Sequence, residues 1–184
     1  MNYCSQCGAR VTLRIPEGDS LPRHVCDACG AIHYQNPRMI VGCIPEWDDR
    51  ILLCRRAIEP RQGLWTVPAG FMENGETMAD GAAREALEEA VARVEIGPLY
   101  AMYNIPHINQ VYILFRARLL NEDFRAGAET LEAQLFAEAD IPWSEIAFAT
   151  VRNTLTHYFD DRRRGEYRFH MGTIERTPRP AAQS

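Results

Sequence analysis

Two sets of residues have the type and spacing to do chemistry: Glu85, Glu88 and Glu89, and Cys4, Cys7, Cys26 and Cys29. The glutamates stand at i, i+3 and i+4, so on a helix their carboxylates crowd one patch. Each like-charged pair one turn apart costs a helix roughly 0.2–0.5 kcal/mol. A hard divalent cation removes that cost, because such ions are held by a few carboxylates together with phosphate oxygens. The competing role for an acidic run is a solvated face. Alternating charges would serve solubility better than this clustering does.

The cysteines form two C-x2-C pairs, each followed by glycine, Gly8 or Gly30, with eighteen residues between the pairs. Two such turns aim four thiolates at one tetrahedral zinc ion. Four thiolates leave no open coordination position, so the expected role is structural. A segment of about 35 residues buries too little surface to fold alone, and a metal makes up the difference. Cys43 and Cys54 lie in apolar runs and read as core thiols.

These residues need elements to hold them. We expect three regions: 1–36 as a zinc-binding module, 37–175 as the main domain, and 176–184 as a flexible tail. Strands are expected at 39–47 and 50–57 around an Asp48-Asp49 turn, then a Pro- and Gly-rich loop with an extended piece at Leu64–Val67. Thr77 and Asp80 form a capping box that starts the glutamate helix near Met78. Ala83, Leu87, Ala90, Val91 and Val94 make the stripe expected to face the core, with the glutamates opposite. Gly81 inside the helix implies close packing, for example by the preceding loop. Further strands are expected at 94–105, 110–120 and near 133–137, with a second helix over 144–163. Strands mixed with two helices give an α/β sandwich.

Gly70, Glu76, Arg84, Glu85, Glu88 and Glu89 fit the G-x5-E-x7-R-E-U-x-E-E box, and on these positions the chain resembles the Nudix hydrolases. The resemblance implies a Nudix α/β/α sandwich and Mg²⁺- or Mn²⁺-dependent hydrolysis of a nucleoside diphosphate linked to another group. It assigns Glu85, Glu88, Glu89 and the Ala69 carbonyl to the metal, and Gly70, Glu76 and Arg84 to bracing the box. Glu85 itself, or Glu132 or Glu129 from the loop before a late strand, is the candidate proton acceptor, Glu132 ahead of Glu129. Val91 stands where the pattern has glycine, so the helix is expected to run on or end differently. The zinc-ribbon start and the runs 36–46, 52–76, 110–117 and 135–148 resemble the Nudix group whose plant members are FAD pyrophosphatases. FAD is therefore the first expected substrate, with ADP-ribose and NADH behind it. The Ser-Gln-Pro-Trp-Pro-Phe-Pro stretch of NADH pyrophosphatases is missing after the box, which lowers that reading. A Nudix-fold module that senses a nucleotide without cleaving it is the other alternative. A homodimer is also implied.

Substrate contacts are read from residue type alone. Arg55, Arg56 and Arg61 can reach phosphates, and Trp65 and Tyr103 can stack on a ring. Solvated arginines and core aromatics are the commoner roles. His107, His157 and His170 lack metal spacing. The net charge of −5 disfavours nucleic acid as a partner, but it does not argue against a small nucleotide, whose phosphates bound metal ions and a few local arginines can hold. No apolar run approaches the roughly 20 residues of a membrane helix, and Met1–Ser5 does not resemble a secretory leader, so we expect a cytoplasmic protein without membrane partners.

Overall fold

The computed structural model describes residues 1–176. Apart from Arg176, the tail expected at 176–184 lies outside the described residues. The chain divides into two compact units, Met1–Pro37 and a second that begins at Arg38.

The first unit is a three-stranded antiparallel sheet in the order β1 (Val11–Arg14), β2 (Arg23–Cys26), β3 (Ile32–His33). Its two cysteine turns repeat one geometry. Gly8 N–H donates to the Cys4 carbonyl and Gly30 N–H to the Cys26 carbonyl, each at 3.0 Å. Both glycines sit in the left-handed region, at φ 74° and 73°. A residue with a Cβ adopts that conformation at a cost, which is why glycine closes each turn.

The second unit carries β4 (Arg38–Trp47), β5 (Arg50–Arg56), β6 (Trp65–Thr66), β7 (Ala69–Phe71), α1 (Met78–Ala90), β8 (Val94–Ile105), β9 (Gln110–Leu119), β10 (Thr130–Ala137), α2 (Ala149–Arg164) and β11 (His170–Thr173). The main sheet runs β10-β5-β4-β9-β8-β11, with β6 beside β5 and β7 beside β4. The central pair, β4 and β9, is parallel, in register from Arg38↔Gln110 to Glu46↔Arg118.

Alternation along these strands builds two cores. Ile40 and Ile44 of β4 and Tyr112 and Leu114 of β9 pack with Val151, Leu155, Tyr158 and Phe159 of α2. Val41 and Cys43, with Ile113 and Phe115, pack with Ala82 and Ala86 of α1. Both faces of the sheet are thus covered by a helix, which makes the architecture an α/β/α sandwich. Cys43 lies in the second of these cores and Cys54 in a third, smaller one with Leu52, Ala90, Ala92 and Leu119, and burial pushes both thiols up.

Several boundaries differ from expectation. The second helix starts at Ala149 rather than 144, because Ala147 N–H donates to the Trp65 carbonyl at 2.8 Å and Ile146 bridges to Trp65. That pairing keeps 146–148 extended. Strand β10 starts at Thr130, before the expected 133, where it pairs with Arg56 of β5. Strand β11 has no sequence signal of its own. It pairs in parallel with β8, and Asp161 ties it down. The Asp161 carboxylate accepts from Tyr100 (2.9 Å) and the Arg168 N–H (3.1 Å), and lies 2.7 Å from His170 Nε2. His157 stacks on His170 with ring centroids 4.1 Å apart.

Candidate active site

The box is built around α1 and the strand before it. Strand β4 changes partners along its length. Glu46 and Trp47 pair with β5, while Ile40–Gly42 pair with β7. Gly42 admits β7, since a Cβ there would lie 2.4 Å from both the Ala69 Cβ and the Pro68 carbonyl oxygen. Strand β7 therefore lies close along the sheet and delivers Ala69 and Gly70 to α1.

The capping box forms as the sequence implies. Asp80 N–H donates to Thr77 Oγ1 at 3.1 Å, and Thr77 N–H donates to Asp80 Oδ2 at 3.4 Å. The helix face is a correction. Leu87 is 49% exposed, and of the expected stripe only Ala90 is buried within the helix. The buried face is Gly81, Ala82, Glu85, Ala86, Glu89 and Ala90. Small residues let the helix lie close on the sheet, and that closeness draws Glu85 and Glu89 inward. Gly81 serves the same approach: a Cβ there would meet Glu76 Oε1 at 2.6 Å and Val41 Cγ2 at 2.8 Å.

Arg84 organises the loop and two of the glutamates. Its Nε and Nη2 donate to the two oxygens of Glu76 at 3.0 and 2.9 Å, and Nη2 also reaches the Phe71 carbonyl at 3.1 Å. Its Nη1 donates to Glu85 at 2.7 Å and Glu88 at 3.0 Å. The guanidinium and the Glu73 N–H hold the Glu76 carboxyl down at about 2. Gly70 makes room for Glu85, since a Cβ at Gly70 would lie 2.4 Å from its Oε1.

Glu89 stands apart from Arg84. Its Oε2 accepts the Ala69 N–H at 3.2 Å, and the residue is 8% exposed. Burial pushes its carboxyl up to about 8. The Ala69 N–H opposes the shift, Glu85 and Glu129 add to it, and Arg56 offsets part of it. Burial raises Glu85 too, against the pull of Arg84. The expected single convergent patch is therefore divided, with Glu85 and Glu88 on one arginine and Glu89 on a backbone amide. The donors are of the type a hard divalent cation takes, with Glu89 a buried carboxylate lacking a full counter-charge, but among the described residues the three glutamates are not gathered about one point as the four cysteines are.

Helix α1 ends at Ala90, with Val91 itself in the left-handed conformation at φ 49° and its N–H on the Ala86 and Leu87 carbonyls. A β-branched residue occupies a glycine conformation here. The loop after β9 covers the helix end. Arg125 N–H donates to the Ala90 carbonyl and Gly127 N–H to the Glu89 carbonyl, each at 2.9 Å.

The remaining candidates separate. Glu129 lies in that loop, and its carbonyl accepts the Ala57 N–H at 2.8 Å. Glu132 sits on β10, 3.9 Å from Arg55 Nη1, with its side chain about half exposed. Arg55 Nε donates to the Gly63 carbonyl. Arg56 Nε donates to Pro60, and its guanidinium covers the Phe148 ring. Arg61 is exposed, at φ 68°. Trp65 is buried edge-on against Phe136. Tyr103 is buried as well, and its hydroxyl has no hydrogen-bond partner.

In the first unit, Cys4, Cys7, Cys26 and Cys29 bring their sulfurs within 4.8 Å of one another. Cys4 and Cys29 Sγ are 3.7 Å apart and Cys7 and Cys26 Sγ are 3.4 Å apart, too far for disulfides. A tetrahedral ion at about 2.3 Å from each sulfur sets a sulfur spacing of roughly 3.8 Å, so the four fit a zinc site. His33 Nε2 lies 3.3 Å from Cys4 Sγ, a neighbour the cysteine spacing did not reveal. Its place four residues past Cys29 was the available signal.

Comparison with known proteins agrees with this geometry. Residues 36–159 match the family described as NUDIX domain, and residues 2–35 match the zinc-ribbon family described as Nudix N-terminal. A crystal structure of a NUDIX hydrolase from Nitrosomonas europaea is 60% identical, with a TM-score of 0.94 over 96% of this chain and 100% of that one. An ADP-ribose pyrophosphatase of Methanocaldococcus jannaschii is 30% identical over 59% of this chain and 67% of its own length. The NAD-capped RNA hydrolase NudC of Vibrio parahaemolyticus is 29% identical over 88% of this chain, which spans 62% of that relative. The chain belongs to the Nudix hydrolases, with the N-terminal zinc ribbon found in part of that family.

Proposed function

We propose that the protein hydrolyses the diphosphate of an ADP-linked compound, with FAD as the first substrate and AMP among the products. The carrying observation is the pair of buried carboxylates, Glu85 and Glu89, on the helix face turned toward Gly70 and Ala69. FAD is supported by the resemblance to the ribbon-bearing group. ADP-ribose is the second reading, favoured by the Methanocaldococcus relative's name. These compounds share the ADP half, so one phosphate site serves all of them.

Glu85, Glu88, Glu89 and the Ala69 carbonyl would hold the cations, and Cys4, Cys7, Cys26 and Cys29 one zinc ion. Bound Mg²⁺ or Mn²⁺ supplies charge neutralisation on the diphosphate and a lowered pKa for the attacking water. Arg84 keeps the box loop on the helix through Glu76. Arg56 presents a positive charge toward the Glu89 side of the site. Glu129 is the better-placed proton acceptor, because its charge is felt by both Glu85 and Glu89 while Glu132 pairs toward Arg55. It takes a proton from water as the oxygen bonds to phosphorus and the bridging oxygen leaves with the other phosphate.

The test is a panel of FAD, ADP-ribose, NADH, nucleoside triphosphates and an NAD-capped oligonucleotide with Mg²⁺ or Mn²⁺, read as AMP or nucleotide released. Turnover of FAD ahead of the rest is expected. Preference for the capped oligonucleotide would overturn the small-substrate reading, and no turnover of any would overturn the enzyme reading.

A further inference from the structure

The loop after β9 is fastened at both ends of a short span. On one side, Arg125 and Gly127 donate their N–H groups to the Ala90 and Glu89 carbonyls, which the helix end would otherwise leave without partners. On the other, Ala57 N–H at the end of β5 holds the Glu129 carbonyl at 2.8 Å, and Thr130 N–H returns to the Gly127 carbonyl at 3.2 Å. Glu129 is two residues from Gly127, so its backbone is fixed to the same helix turn that carries Glu89.

Gly127 makes this contact possible. A Cβ at that position would lie 1.8 Å from the Glu88 carbonyl oxygen, and the obstruction is backbone that no rotamer relieves. Every other residue type would push the loop off the helix. The helix end is itself unusual, with Val91 holding the left-handed turn and the loop, rather than a glycine cap, covering the carbonyls of Glu89 and Ala90.

We propose that Gly127 is a positioning residue: its backbone contact with the end of the glutamate helix sets where Glu129 stands relative to Glu85 and Glu89. This rests on the reading of Glu129 as the proton acceptor. A plain helix-capping role would affect stability, while a positioning role acts through Glu129 and leaves substrate binding in place.

The experiment is a double-variant comparison in the full chain with a folding control. Glu129→Gln should lower kcat by roughly 10²–10⁴-fold. Gly127→Ala should lower kcat by roughly 10²-fold, the cost of misplacing a reacting group by about 1 Å, with KM within about twofold. In the Glu129→Gln background, Gly127→Ala should produce no further loss. Inserting one glycine between Ala128 and Glu129 lengthens the tether without touching the helix. It should reproduce the kcat loss, and it carries the comparison if Gly127→Ala does not fold. Independently of activity, amide exchange should show the Arg125 and Gly127 N–H groups protected together with α1. Multiplicative losses in the double variant, or a Gly127 amide that exchanges freely while α1 is protected, would overturn this inference alone. A wild type that cleaves no substrate would overturn it together with the proposed function.

Discussion

Glu89 links protonation, stability and cation binding in one residue. Its carboxyl rises from 4.5 to about 8 on folding, chiefly through burial. At about 1.36 kcal/mol per unit, the neutral acid stabilises the fold by about 5 kcal/mol relative to the ionised one. The folded pKa is the higher one, so the folded state binds the extra proton. Stability is fully present below pH 4.5 and is lost as pH rises through about 8. The slope between those limits approaches about 1.4 kcal/mol per pH unit. Other groups titrate in the window, since burial lowers His157, which acts in the opposite direction. Subtracting a Glu89→Gln profile removes them. The amide keeps the shape and can still accept the Ala69 N–H. The assay is urea unfolding from pH 5.5 to 8 on protein dialysed free of Mg²⁺, with zinc content checked afterwards. Wild type should lose stability relative to Glu89→Gln by about 1 kcal/mol per pH unit. Added Mg²⁺ should restore wild type at pH 8, do little at pH 5.5, and leave the variant unmoved. Parallel profiles would refute the burial argument.

Four further outcomes are expected. Gly70→Ala places a Cβ 2.4 Å from Glu85 Oε1, so turnover should fall by at least roughly 10²-fold while circular dichroism stays native. Leu87→Ala should cost less than about 0.5 kcal/mol in urea unfolding, because the side chain is exposed. Val91→Gly should raise stability by about 1 kcal/mol by relieving a left-handed valine, read as a higher melting temperature. Metal analysis should find about one zinc per chain, and a strong chelator should abolish the protease resistance of residues 1–37.

Legibility followed how local each feature was. The capping box and the cysteine turns are local, and residue spacing points to them; the Glu76–Arg84 pair is just as local, but it is the family resemblance that implies it. Apolar periodicity puts Ala83, Leu87, Ala90, Val91 and Val94 on the core side, whereas the sheet takes the face of Gly81, Ala82, Glu85, Ala86, Glu89 and Ala90. The largest apolar residue, Leu87, points outward, and alanines face the sheet. What presses on a helix from across the fold is not written in the helix. The same holds for Gly127, whose partner is the Glu88 carbonyl, and for the Asp161 network that fixes β11. The sequence reading puts Glu132 ahead of Glu129, and the reversed preference proposed above draws on the bulge between Thr130 and Glu132 and the pairing with β5, neither of which is local to the glutamates.

The parallel pairing of β4 with β9 has a consequence for how the molecule is made. During synthesis the whole motif from Gly70 to Val91 emerges before Gln110, the first residue of β9. Until β9 arrives, Val41 and Cys43 have no Ile113 or Phe115 beside them, and the alanine face of α1 has half a surface to settle on. Long-range closures of this kind are slow steps in folding. A chain released before Gln110 would carry every glutamate of the motif and hold none of them in place.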